Sequence, residues 1–225
     1  IMVEQEPDAW VPIQYSFQTG PAQTSVVLEV FDKTASVQGD DFGMTALNLR
    51  QCVSALGVAK TNSLPTENQD GSYTIAYSIL LRNYGQGSAP LSAVQVTDDL
   101  SQTFAKAGSW RVLGVASDRF TVNPAYNGST DIRLLAGTDE LSPGQSGTVT
   151  LRVEVRPSLA PGGSGPFDNT AFGSARAGTV LVEDDSAPGT NPDPDGDSDP
   201  KEEVEDTPTR VFIGGPMLYI PLMRR

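Results

Sequence analysis

Between positions 72 and 82 the chain reads SYTIAYSILLR, and Tyr73, Ile75, Tyr77, Ile79 and Leu81 fall on every second residue. An apolar period of two over this length is the mark of a strand with one buried face. Comparable runs follow at LSAVQVTDDL (91–100), SWRVLGV (109–115), GTVTLRVEVRP (147–157), NTAFGSAR (169–176) and GTVLVED (178–184). The clusters QDG, GQGSAP, NPAYNGST, SPGQSG and APGGSGP separate them, each rich in residues that turn a chain. With no helix-length 3.6-residue period anywhere, the pattern predicts an all-β chain built on a sandwich of about seven strands. Roughly 150 residues, from 57 to 206, are enough for one stable core.

Absences narrow the function. The chain has no histidine, which removes Ser-His-Asp, Cys-His and His-metal schemes and argues against zinc. Cys52 is the only cysteine, so no internal disulfide forms; it is either a small buried hydrophobe or a bridge to a partner outside this sequence. No run approaches the ~18 apolar residues of a membrane-spanning helix. The opening IMVEQEP has no charged or apolar signal region and does not begin with Met, so it reads as a processed or excerpted product. Eleven of the 28 acidic residues lie between 183 and 206 against a single base, Lys201, so this segment supplies −10 of the net charge of −13. A chain so acidic, without a basic stripe, is not expected to bind nucleic acid or an anionic membrane.

The acidic segment has internal order. In NPDPDGDSDPKEE (191–203), oxygen-bearing side chains alternate at Asn191, Asp193, Asp195, Asp197 and Asp199, with Gly196 at a sharp turn and Glu202 at the twelfth position. Alternate carboxylates around one glycine are the ligand order of a calcium loop. Asn191 replaces the usual first Asp, Ser198 stands where an apolar anchor normally sits, and Pro192, Pro194 and Pro200 forbid flanking helices. The expected ligand is therefore Ca2+ in a loop that is EF-hand-like in ligand order only. The competing reading is a solvated acidic linker.

Several blocks keep a recognisable order: GVAKTNSLPTENQDGSYTIAYSILLRNYGQG, LSAVQVTDDL, FTVNPAYNGSTDIRLLAGTDELSPGQSGTVTLRVEV, GPFDNTAF and DPDGDSDP. Together, over about 57–206, they resemble the Ig-like conserved-repeat "domain of unknown function" modules of bacterial surface proteins. They are also similar to the calcium-binding B repeats of serine-aspartate adhesins. The resemblance implies an extracellular, cell-surface Ig-like β-sandwich. Residues 1–52, with WVPIQYSFQTG, TSVVLEVFD and GDDFGMTALNLRQC, resemble the closing strands of a jelly-roll carbohydrate-binding-like domain. Thr45 and Ala46 depart from that class where acids are usual. Three or so strands cannot close a sandwich, so this open sheet is expected to be completed either by an upstream portion of the protein, which could also hold a partner for Cys52, or by strands from another chain.

After Asp206 the sequence turns apolar, as TRVFIGGPMLYIPLMRR (209–225), with Val211, Ile213, Leu218, Ile220 and Leu222. An exposed apolar strand needs a partner. Either this tail (207–225) folds back on its own chain, or it is donated to the open sheet of a neighbour, giving a head-to-tail homopolymer.

Lys60, Asp98 and Asn169 are the residue types of the isopeptide cross-link found in pilin and adhesin domains, in which a buried lysine attacks an asparagine amide beside a carboxylic acid. The plainer expectation sets Lys60 on the surface, lets Asp98 and Asp99 cap a strand or join an ion site, and has Asn169 satisfy buried backbone. Asp131, Asp139 and Asp168 are expected in turns rather than in a second ion site, and Asn127-Gly128-Ser129 as a turn before a glycosylation acceptor. Trp10 and Trp110 read as core or interface residues, and the pair Asp40 and Asp41 does not make a glycosidase. The resulting expectation is no enzyme but a structural protein: a subunit of a calcium-stabilised bacterial surface filament or coat, assembled by strand exchange or tail docking. The alternative is a cell-surface adhesin with a glycan-binding N-terminal domain on an Ig-like stalk.

Overall fold

The structure, a computed structural model, describes residues 54–85 and 89–214, together with Val27. The chain divides between Gln51 and Cys52, and the following concerns the second unit. The expected jelly-roll sheet over 1–52 lies outside the described residues but for Val27, as do Trp10, Asp40, Asp41, Cys52, Leu218, Ile220 and Leu222.

The described chain is an all-β sandwich. Its elements are β1 (Leu56–Asn62), β2 (Thr66–Glu67), β3 (Tyr73–Asn83), β4 (Ser92–Thr97), the single helical turn α1 (Leu100–Thr103), β5 (Ser109–Ser117), β6 (Ser146–Arg156), β7 (Phe167–Asn169), β8 (Phe172–Ala177), β9 (Val180–Asp185), β10 (Ala187–Pro188) and β11 (Thr209–Val211). Strands β10, β1, β3, β6 and β5 form the large sheet in that order, with β2 on β3. Strands β4, β8 and β9 form a second sheet, and β11 and β7 a third. Among the described residues, no helix is long and apolar enough to cross a membrane.

The alternation read in 73–81 is realised in the register. Ile75, Tyr77 and Ile79 of β3 stand opposite Val153, Leu151 and Val149 of β6, and all six are fully buried. A one-residue slip would turn all of these side chains to solvent, so the apolar pattern fixes the pairing. Burial of each large apolar side chain contributes about 1.5–3 kcal/mol. Strand β5 lies at the edge, where a register shift between Val112 and Gly114 bends it and the Arg111–Glu154 ion pair lies across it to β6. Bulges and charges are what keep an edge from pairing with another chain.

Position 57 requires glycine: a Cβ there would run into the ring of Tyr84 and into Pro192. The acidic segment therefore lies directly on β1. On the opposite side of β1, Leu56 and Val58 enter a core that also holds Leu100, Phe104, Phe120, Leu134, Leu141 and Phe167. Phe104 and Phe167 meet edge to face at 5.2 Å, a favoured aromatic geometry.

The structure moves the boundary expected at residue 206. Thr209–Val211 pairs antiparallel with Phe167–Asn169, and Val211 and Ile213 are buried in the same core as β3 and β6. These two residues fold back on their own chain and are not exposed strand residues. Burial satisfies them at home, and β11 closes β7, which has no other strand partner among the described residues. If β11 is part of this core, Ile213→Ala should cost about 2–5 kcal/mol in denaturant unfolding; a cost near zero would return 209–213 to the tail.

Candidate functional site: a buried lysine and an acidic loop

Register decides where Lys60 goes. Leu56, Val58 and Lys60 stand opposite Asn83, Leu81 and Ile79, on the core-facing side of β1. Lys60 is fully buried, which overturns the expectation of a surface lysine. Its Nζ lies 2.5 Å from Oδ2 of Asp98, the residue that follows β4, and 4.8 Å from the centre of the Tyr77 ring. Asp98 is itself held by its main chain: its N–H donates to Ile132 O at 2.9 Å, and its carbonyl accepts the Tyr126 hydroxyl at 3.1 Å.

Asn169 ends β7 and donates its Nδ2 to the same Asp98 Oδ2 at 3.5 Å, rather than satisfying backbone. Asp99 caps the helical turn α1 rather than a strand, its Oδ1 accepting the N–H groups of Ser101 and Gln102. The three side chains thus meet on one oxygen. Asp98 Oδ1, Asn169 Oδ1 and the Tyr77 hydroxyl have no hydrogen-bond partner among the described residues. Burial pushes the Lys60 amine below its usual range, opposed by the charge of Asp98. The same burial pushes the Asp98 carboxyl up, opposed by Lys60. Both shifts favour the uncharged forms, as desolvation does.

The acidic loop runs from β10 to β11. Asp193 is buried and accepts Gly196 N–H on Oδ1 at 3.0 Å and Ser198 N–H on Oδ2 at 3.2 Å. Asp195 Oδ1 accepts Asp197 N–H at 3.1 Å, and Asp197 Oδ1 accepts Asp199 N–H at 2.7 Å. Gly196 has φ +81°, the left-handed turn that its position in the motif requires. The carboxylates of Asp193, Asp195 and Asp197 can bring oxygens within 4.8 Å of one another, a cluster able to hold a metal ion. Its oxygen-only donors suit a hard cation.

Of the other expected ligands, Asn191 is exposed and bonds within the loop, its Nδ2 donating to Asp193 O at 2.6 Å. Asp199 accepts Lys201 N–H at 3.4 Å. Glu202 lies in the field of Asp197 and Asp195, which hold its carboxyl above the usual range. Glu205 is the residue that sequence reasoning misses. It is buried, its Oε1 accepts Asp195 N–H at 3.2 Å, and its Oε2 has no partner among the described residues. In a run of acids nothing local distinguishes it.

Asp184 of β9 joins this charged neighbourhood. Strand β10 covers the edge of β1 only at Ala59 and Lys60, and Val58 N–H instead donates to Asp184 Oδ2 at 2.6 Å. Burial raises the Asp184 carboxyl from 3.8 to about 8 against the help of that hydrogen bond, and Asp206, Asp185 and Glu205 push it the same way. Asp206 is raised to about 6, by burial first and then by Asp185, Glu205 and Glu203.

Of the three aspartates expected in turns, Asp139 accepts Thr121 N–H and Asp131 accepts Arg133 N–H, but Asp168 lies in strand β7, where it pairs with Arg210 at 2.7 Å across to β11. Asn127 Oδ1 accepts Ser129 N–H and Thr130 N–H, the turn expected of it. Trp110 packs half-buried beside Phe104. Compared with protein-family models and with curated proteins, the sequence matches none.

The Asp184 shift carries a pH consequence. Folded chain keeps this proton up to about pH 8, whereas the unfolded chain releases it near 3.8. The folded state binds more protons in that window, so stability is greatest at its acid end and falls as pH rises through it. Asp206 adds to the slope in the lower part. Denaturant midpoints measured in chelator from pH 5 to 8 should fall for the natural chain and fall less for Asp184→Asn; parallel slopes would contradict the assignment.

Proposed function

We propose that this chain is an extracellular structural protein, a subunit of a bacterial surface filament or coat whose Ig-like module is stabilised by calcium. The observation that carries the reading is the place of the acidic loop. It leaves β10 beside β1 and delivers β11 to β7, so an ion held by Asp193, Asp195 and Asp197 fastens the returning chain to the module. Asp199 and Glu202 are further oxygen donors of the same loop, and calcium takes about six to eight such ligands in flexible geometry. An ion also relieves the self-repulsion of a segment that carries most of the net charge. At ~1 mM calcium, a site with a dissociation constant of ~10⁻⁴ M would add about 1.4 kcal/mol of stability.

Assembly, in this reading, runs through residues beyond Gly214. Val211 and Ile213 are committed to the chain's own core, whereas Leu218, Ile220 and Leu222 continue an alternate apolar pattern suited to addition as a strand to the open N-terminal sheet of a second copy. Such a head-to-tail contact builds a filament when its rotation does not close. The resemblance to modules of bacterial surface proteins supports the location.

Calcium at ~1 mM should raise the melting temperature by about 3–6 °C over chelator, and the double variant Asp195→Asn, Asp197→Asn should lose most of that rise. No rise in the natural chain would refute the ion reading. Electron microscopy should show polymers of the full chain that are absent from a chain ending at Gly214. Equal polymerisation of the two would remove the tail from the assembly.

A further inference from the structure

The buried cluster of Lys60, Asp98 and Asn169 has no part in an ion-held, tail-assembled structure, yet it places two ionisable groups and an amide in the core. Three side chains from β1, the end of β4 and β7 are each at most 2% exposed. Amine and amide nitrogen both approach one carboxylate oxygen, at 2.5 and 3.5 Å, while the other carboxylate oxygen and the amide oxygen are unpaired among the described residues. Buried polar atoms in folded proteins are nearly always paired. A lysine buried only to neutralise Asp98 would not explain an asparagine brought to the same oxygen with its own carbonyl left bare.

We propose that Lys60 and Asn169 join in an intramolecular isopeptide bond, with Asp98 as the proton carrier. The reaction needs a neutral amine next to an amide and an acid able to give and take a proton, and all three meet in one buried cluster. Proton transfer from the lysine ammonium to Asp98 leaves a neutral amine and a neutral carboxyl, the forms that burial favours. The Lys60 Nζ lone pair then attacks Asn169 Cγ while the carboxyl polarises the amide. The Nζ–Cγ bond forms and the Cγ–Nδ2 bond breaks. Asp98 passes one proton from Nζ to the departing nitrogen, which leaves as ammonia, and the carboxyl is regenerated. No oxidant, reductant or cofactor enters the balance.

The neighbours fit this role. The Tyr77 ring forms one wall of the amine's surroundings, and the Tyr126 hydroxyl donates to Asp98 O, holding the carboxyl's main chain in place. Thr209 of β11 donates its hydroxyl to Lys60 O at 2.8 Å and stands opposite Asn169 in the β11–β7 register. The strand that closes the module thus touches both residues to be joined. The bond would tie the large sheet to the β7–β11 pair, independently of any ion in the acidic loop.

Mass spectrometry of the intact natural chain tests this directly. The expected mass is about 17 Da below that of the sequence, the ammonia lost, and fragmentation should find the peptides containing Lys60 and Asn169 covalently joined. A full sequence mass would overturn the proposal. So would a 17 Da loss mapped to a succinimide at an asparagine, for which the Asn127-Gly128 step is the most reactive candidate. Asp98→Ala should restore the full mass, and a chain still linked without Asp98 would overturn its role as proton carrier. The reading on the natural chain needs no variant, so a variant that fails to fold does not spare the proposal.

Discussion

The long antiparallel pairing of β3 with β6 is the constraint on which the rest of the molecule depends. Once Ile75, Tyr77 and Ile79 face Val153, Leu151 and Val149, every strand added at the flank inherits a core side and an outer side. Strand β1 joins β3 with Leu56 and Val58 on the core side, and the period of two carries Lys60 there as well. The charge is thus buried by register, not by local preference. A lone buried ammonium is prohibitively costly, and a partner must come from another element. The residue after β4 supplies it as Asp98, so a buried polar contact joins the second sheet to the first within the apolar core.

What is legible in the sequence follows from length and period. The strands β3 and β6 are each eleven residues long, long enough for alternation to be read without knowing what covers them. The stretch from 118 to 145 carries Phe120, Leu134, Leu135 and Leu141 into the core through isolated bridges rather than strands, and such residues show no period. Strands β2 and β10 have two residues each, and β11 three. At that length an apolar residue in a last strand is indistinguishable from one in a free tail, which is why 209–213 reads as tail until β7 is seen to need a partner. Lys60 is a different case. The apolar neighbours at 56 and 58 mark its face, but a charged residue on a strand is ordinarily a surface one, and only the position of Asp98 and Asn169 decides.

The acidic loop shows how a charged segment can be ordered before it meets an ion. Asp195 and Asp197 each use one oxygen to accept an N–H two residues ahead, so successive turns hold the backbone while the second oxygens stay available. Asp193 uses both of its oxygens on Gly196 and Ser198 and acts as the hub of the loop. The prolines limit the alternatives further. Preorganised donors spare a ligand the entropy of ordering a coil. The cost is concentrated charge, which raises the carboxyl of Glu202, and burial, which raises those of Glu205 and Asp206 ahead of their acidic neighbours.

Strand β10 runs parallel to β1, whereas β3 runs antiparallel to it. Parallel strands that lie near opposite ends of a module respond to tension in a particular way. A pull drawing the two ends apart slides one strand along the other, and their hydrogen bonds are strained together in shear instead of opening one after another like a zipper. The contact is short, only Ala59 with Ala187 and Lys60 with Pro188, but it lies beside the residue that anchors β1 in the core. Force entering at β1 therefore meets, at a single point along the strand, both the parallel contact and the most deeply held side chain.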